Sequence, residues 1–123
     1  MEGVGVDIVE IERISNIIEK RRDKFFGRVF TEQELSYCLN KSNPAPSLAA
    51  RFAAKEAVLK AMGKGLGACP LNNIGVINDP GGQPKLELTG SAKELSETLG
   101  FSTWYISLSH SKNHAVAMVM AKG

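Results

Sequence analysis

A single compact α+β domain, with a mainly antiparallel sheet packed against a long central helix, is the architecture this sequence predicts. Three observations lead to it. Segments rich in β-branched residues are interleaved with segments whose apolar residues recur at helical spacing. The turn-forming run Asp79-Pro80-Gly81-Gly82 separates two short stretches that pair as a hairpin. The last two segments, 103–109 and 114–121, both alternate in polarity as strands do. At 123 residues the chain suits one domain, spanning 1–123, and is too short for two ordinary ones.

The elements follow in order. Val4-Gly5-Val6-Asp7-Ile8-Val9 reads as a strand, because a helix would crowd its β-branched side chains. It runs into a first helix in which Ile11, Ile14, Ile17 and Ile18 recur at helical spacing, and which is expected to end among Lys20 to Lys24. Thr31-Glu32-Gln33-Glu34 matches a capping box, so Thr31 opens a second helix. Asn43-Pro44-Ala45-Pro46 is a break. Ser47 is expected to cap a third, longer helix that reaches about Met62 and stops at Gly63, Gly65 and Gly67. Residues 73–78 and 84–88 form the hairpin. Thr89 or Ser91 then opens a short helix ending at Gly100, before the two final strands.

Composition narrows the function classes. A hydrophobic fraction of 43% with 23% charged residues fits a soluble globular protein, and a net charge of +2 predicts no strong attraction to nucleic acid. Cys38 and Cys69 form neither a disulfide framework nor a metal motif, and read as buried free thiols of a reducing compartment. The N-terminal apolar run is interrupted by Asp7 and Glu10 and lacks a basic flank, so it does not read as a signal peptide. No stretch approaches the ~18 to 20 apolar residues that span a bilayer. A cytoplasmic protein is the expectation.

Several side chains stand out chemically. In the third helix, Leu48, Phe52, Leu59 and Met62 share one stripe, and Glu56 lies at its edge in line with Ala49, Ala53 and Lys60. The small alanines leave room for something to approach. On spacing alone, Glu56 and Lys60 read first as an i,i+4 pair worth ~0.2 to 0.5 kcal/mol. Asp7 interrupts an apolar strand, so its carboxylate must reach solvent, cap the next helix or be buried with a partner. A hard cation such as Mg²⁺ would satisfy it. On pattern alone the bland and the metal readings of Asp7 stand even. His110, within Ser107-Leu108-Ser109-His110-Ser111, has no triad around it and reads as a phosphate or backbone contact, or as a structural histidine. Lys20, Arg21, Arg22, Lys24 and Arg28 surround the adjacent Phe25 and Phe26. An apolar anchor ringed by cations suits an acidic protein partner.

Taken together, Gly3-Val4-Gly5-Val6-Asp7-Ile8-Val9, Phe30-Thr31-x-x-Glu34, Arg51-Phe52-Ala53-Ala54-Lys55-Glu56-Ala57 with Lys60, and Ser109-His110-Ser111 resemble the holo-acyl-carrier-protein synthase family of phosphopantetheinyl transferases. The motifs occur in the family's order and spacing, over nearly the whole chain. The resemblance implies transfer of 4′-phosphopantetheine from coenzyme A to a serine of apo-acyl-carrier protein, in support of fatty acid biosynthesis. It implies Asp7 and Glu56 as Mg²⁺ ligands, and Lys60 as a contact to phosphate oxygens near the reacting phosphorus. Glu56 and Lys60 are thereby the catalytic pair. Arg51 and His110 become contacts to the 3′-phosphoadenosine end of coenzyme A. Arg13, Arg21, Lys24, Phe25 and Arg28 fall where the family docks its carrier protein. The family's short members imply a homotrimer with active sites between subunits, and neither nucleic acid nor membrane as a partner. Gly82-Gln83-Pro84 departs from the Gly-Lys-Pro of many family members, which leaves open any charged contact from that turn to the nucleotide. Two rival readings are a binding module that grips an acidic partner or RNA through the basic cluster, and a Mg²⁺-dependent nucleotide hydrolase.

Overall fold

The computed structural model describes all 123 residues. The chain runs β1 (Glu2–Glu10), α1 (Ile11–Val29), α2 (Glu32–Leu39), α3 (Ala45–Ala61), a 3₁₀ turn, β2 (Ile74–Asn78), β3 (Pro84–Leu88), α4 (Gly90–Thr98), β4 (Thr103–His110) and β5 (His114–Lys122). A three-stranded sheet has the order β1-β5-β4, and β2 and β3 form a separate hairpin. Both are antiparallel throughout, in agreement with the expected class. The hairpin strand β3 lies alongside β4 without pairing to it.

The central helix lies on the inner face of the three-stranded sheet. Its Leu48, Phe52, Leu59 and Met62 are buried as their spacing predicts, but so is most of its circumference. Alanines of α3 give room to strand β1. Gly3 and Gly5 on β1 face α3, and a Cβ at either would collide with a helix backbone carbonyl, that of Ala61 or Ala57. The space beside Ala57 and Ala61 is therefore filled by strand β1, which only glycine lets approach this closely.

Two helix boundaries differ from expectation. Ser47 does not cap α3; the helix begins at Ala45 after Pro44, whose fixed φ suits a first turn. The first helix breaks where expected, with non-helical angles at Arg21 (φ −143°, ψ 39°), yet it resumes and runs to Val29. Packing carries it on: Phe26 and Val29 are buried, and the Phe25 ring lies 6.0 Å from Phe52 of α3. The predicted capping box is present, with Glu34 N donating to Thr31 Oγ1 and Thr31 N donating to Glu34 Oε1. Cys38 and Cys69 are free and buried.

Beneath α3 the core holds a buried ion pair. Lys55 Nζ lies 2.7 Å from Glu34 Oε1, with both side chains fully buried. The ammonium also donates to Ile74 O, and Glu34 Oε2 accepts from Val76 N at 2.9 Å. The pair thus ties α2, α3 and β2 together. Burial pulls the Lys55 pKa down, and the charge and hydrogen bond of Glu34 oppose that.

The outer face of the sheet is apolar and exposed. Strand β1 turns Val4, Val6 and Ile8 outward, and Met118, Met120 and Tyr105 continue the face across β5 and β4.

Candidate active site

The alternation of β1 delivers Asp7 to α3. Gly3, Gly5, Asp7 and Val9 share the inward face, and the glycines hold the strand close against the helix. Where the glycines end, the Asp7 carboxylate projects beside Glu56 and Lys60. Lys60 Nζ donates to Asp7 Oδ1 at 2.7 Å and to Val6 O at 3.2 Å. The Asp7 side chain is only 12% exposed, whereas that of Lys60 is 54% exposed. Spacing had suggested Glu56 as the partner of Lys60. The salt bridge goes instead to Asp7, on the neighbouring strand.

Glu56 is half-buried on the same flank of α3. Its pKa is raised from the usual 4.5, first by desolvation and then by the charge and proximity of Asp7; Arg13 and Lys60 pull the other way. Lys60 is in turn raised, chiefly by its hydrogen bond to Asp7. Two carboxylates crowded together with one lysine form a site that attracts positive charge and can grip an anion beside it.

A second group lies on the other flank. Arg51 is 4% exposed, donates to Asn78 Oδ1 at 2.7 Å and stacks on the Tyr37 ring at 4.7 Å. Its Nε has no hydrogen-bond partner. It lines a cavity of about 250 Å³ with Tyr37, Lys41, Asn78, Ser109 and His110. Arg51 and His110 thus line one cleft, and Lys41 joins them, its ammonium 4.8 Å from the centroid of the same Tyr37 ring. Arg51 and Glu56 are five residues apart, about 140° around the helix. Asp7 belongs to β1 and His110 to β4, the outer strands of the sheet. The carboxylate cluster and the cationic cleft therefore open on opposite flanks of α3.

The basic residues of α1 also gather. Arg21, Lys24, Phe25 and Arg28 line a cavity of about 250 Å³ with Ile17 and Val29. Only Phe25 of the aromatic pair reaches this surface; Phe26 is 7% exposed and belongs to the core, so the expected double anchor is single. Arg13 lines an adjoining cavity of about 390 Å³, to which Arg21 also contributes. The Arg13 guanidinium lies 5.9 Å from the Phe52 ring, beside the Glu56 cluster.

Sequence reasoning missed Tyr37, Lys41 and Asn78 in the cationic cleft. Asn78 had a usable signal: it ends a strand just before the Asp79-Pro80-Gly81-Gly82 turn, where a polar side chain caps or braces a neighbour.

Comparison with known proteins places the whole chain in a family. Residues 3–119 match the model of the 4′-phosphopantetheinyl transferase superfamily. The holo-[acyl-carrier-protein] synthase of Thermodesulfovibrio yellowstonii is 49% identical over 120 residues, covering 98% of this chain and 97% of that protein. The crystal structure of the holo-[acyl-carrier-protein] synthase from Neisseria meningitidis superposes with a TM-score of 0.89 at 36% identity, covering 98% of each chain. That of Helicobacter pylori, solved in complex with coenzyme A, gives a TM-score of 0.86 at 30% identity over 97% of this chain and 99% of the other. Matched along almost its entire length in both sequence and fold, the chain belongs to the 4′-phosphopantetheinyl transferase superfamily.

Proposed function

We propose that the protein is a holo-[acyl-carrier-protein] synthase, moving 4′-phosphopantetheine from coenzyme A to a serine of apo-acyl-carrier protein and releasing adenosine 3′,5′-bisphosphate. The observation that carries the reading is the Asp7, Glu56 and Lys60 cluster, in a chain that resembles such synthases end to end. In this reading it serves fatty acid synthesis in the cytoplasm, which the free, buried Cys38 and Cys69 fit.

The donor set suits Mg²⁺. No group of three or more His, Cys, Asp or Glu side chains is gathered anywhere in the chain, which argues against an all-protein cage. Magnesium characteristically takes one or two carboxylates and completes its shell with substrate phosphates and water. Asp7 and Glu56 would hold it; when bound, it supplies charge neutralisation at the pyrophosphate of coenzyme A.

The rest of the chemistry falls to the protein's own side chains. Lys60, long and half-exposed, reaches phosphate oxygens and offsets the charge that develops on them during transfer. Glu56, with its raised proton affinity, is positioned to orient the attacking serine hydroxyl and take its proton, directly or through a water. Arg51 and His110, which line one cleft, receive the 3′-phosphoadenosine end. The carrier protein, acidic by this reading, docks on Arg13, Arg21, Lys24, Phe25 and Arg28, where the two cavities of α1 meet.

The active unit proposed is a homotrimer with its sites between subunits. Two features support it: the exposed apolar face formed by Val4, Val6, Ile8, Tyr105, Met118 and Met120, and the placement of the two half-sites on opposite flanks of α3. One coenzyme A can then span the carboxylates of one chain and the cationic cleft of a neighbour.

Intact-mass measurement tests the proposal. Apo-acyl-carrier protein incubated with the enzyme, coenzyme A and Mg²⁺ is expected to gain one phosphopantetheine, and none when a chelator is present. An unchanged mass with metal supplied would reject the function; an equal gain with chelator would reject the metal.

A further inference from the structure

The contact between Lys60 and Asp7 carries a consequence for metal binding. Asp7 Oδ1 is withdrawn from solvent, with 12% of the side chain exposed, and its direct counter-charge is the Lys60 ammonium at 2.7 Å. Val6 O steadies the same ammonium from the strand backbone. Glu56 makes no salt bridge, and Arg13 acts on it only through space. A cation held by Asp7 and Glu56 must therefore share the Asp7 carboxylate with a positive group already bonded to its Oδ1, or displace that group.

We propose that Lys60 competes with the divalent cation for Asp7, so that metal and coenzyme A bind cooperatively through the transfer of Lys60 from carboxylate to phosphate. This rests on the reading of Asp7 and Glu56 as the metal pair. The geometry allows the exchange. Lys60 is the solvent-exposed member of its salt bridge and sits on a flexible four-carbon stem, so it can leave Asp7 without disturbing the core. Leaving unaided strands an ammonium beside a newly bound dication, and a metal alone therefore binds weakly. The pyrophosphate of coenzyme A gives Lys60 a new anion and removes that opposition. By linkage, the metal strengthens coenzyme A binding by the same factor.

Manganese serves as the probe, its binding read by electron paramagnetic resonance and calorimetry with no turnover involved. Wild type, Lys60→Met, Arg13→Gln and Glu56→Gln are each titrated with and without coenzyme A. Lys60→Met is expected to bind Mn²⁺ on the order of ten-fold more tightly than wild type without coenzyme A. The gain in Mn²⁺ affinity on adding coenzyme A, clear in wild type, is expected to shrink in that variant. Arg13→Gln also removes one positive charge, and its field on Glu56 exceeds that of Lys60, but it does not touch Asp7. A change of less than about three-fold is expected for it, well below the coupling range. Equal tightening by both variants, or none by Lys60→Met, overturns the competition while leaving the metal pair intact. Wild type that binds no Mn²⁺ even with coenzyme A, or binds it as well as Glu56→Gln does, overturns the metal pair itself.

Discussion

Lys55→Met probes the buried tie that holds the active-site helix in place. Methionine keeps nearly the same stem and deletes the ammonium, so the variant isolates the charge. Lys55 loses its contacts to Glu34 Oε1 and Ile74 O, and the Glu34 carboxylate stays fully buried with only the amides of Thr31 and Val76 to satisfy it. Removing one member of such a pair costs about 3 to 5 kcal/mol, mostly from the stranded charge. For a domain of this size, 1 kcal/mol lowers Tm by about 4 °C, so the drop should be roughly 12 to 20 °C. Thermal unfolding is followed by circular dichroism at one fixed protomer concentration, because an oligomer's Tm depends on it. The companion variant Glu34→Gln/Lys55→Met removes the stranded charge and keeps an amide oxygen for one of the two backbone donors. It should recover about 2 kcal/mol relative to Lys55→Met. A single variant within about 1 kcal/mol of wild type, or a double variant less stable than the single, would refute the reasoning.

Other expectations follow from the same contacts. Gly5→Ala drives a Cβ into the Ala57 carbonyl and should cost about 3 kcal/mol by forcing β1 off α3, whereas Gly27→Ala, on open helix surface, should be neutral or slightly stabilising in the same unfolding assay. Glu56 has a raised pKa, so the native state holds a proton that the unfolded chain releases above 4.5; its contribution is full below that pH and is lost as pH rises through the raised value. Glu56→Gln should therefore melt at or above the wild-type temperature at pH 7, with the advantage fading towards pH 4.5, and a variant less stable at pH 7 would contradict this. Val6→Asp, on the exposed sheet face, should convert the proposed trimer to monomer in sedimentation equilibrium and abolish transfer with it. Arg21→Glu and Arg28→Glu, at the α1 cavity, should raise KM for the carrier protein and leave KM for coenzyme A unchanged.

Local rules carried the reading of the fold furthest where the determinants are local. The Thr31 and Glu34 capping box, the Asp79 to Gly82 turn and the alternation of the last two strands each depend on neighbours within a few residues, and each stands in the structure. The continuation of α1 beyond Arg21 depends instead on burial of Phe26 and Val29, and nothing in the polar run from Glu19 to Lys24 announces it. The start of α3 was displaced because Asn43-Pro44-Ala45-Pro46 reads as a break, although a proline is at home in a first helical turn.

The site divides the same way. Spacing on α3 made Glu56 and Lys60 partners, whereas Lys60 bonds Asp7, 53 positions away in sequence. That contact needs β1 on α3, which in turn needs Gly3 and Gly5 opposite Ala57 and Ala61. Small alanines on α3 marked room for an approach, but not what approached. Lys55 and Glu34 each sat within a quoted motif, yet their pairing joins elements 21 residues apart and shows only once the fold is closed. The pairing of Arg51 with His110 came from resemblance; the fold brings both to one cleft.

The most direct measurement is the initial rate of holo-carrier-protein formation as Mg²⁺ is titrated, for wild type, Asp7→Asn and Glu56→Gln. Each variant is expected to lose about 100-fold or more in rate at saturating coenzyme A. Each should also need far more Mg²⁺ to reach its own maximum, while its circular dichroism spectrum stays that of wild type. Rates within a few-fold of wild type, with an unchanged Mg²⁺ dependence, would contradict the claim that Asp7 and Glu56 form the metal-holding centre of this enzyme.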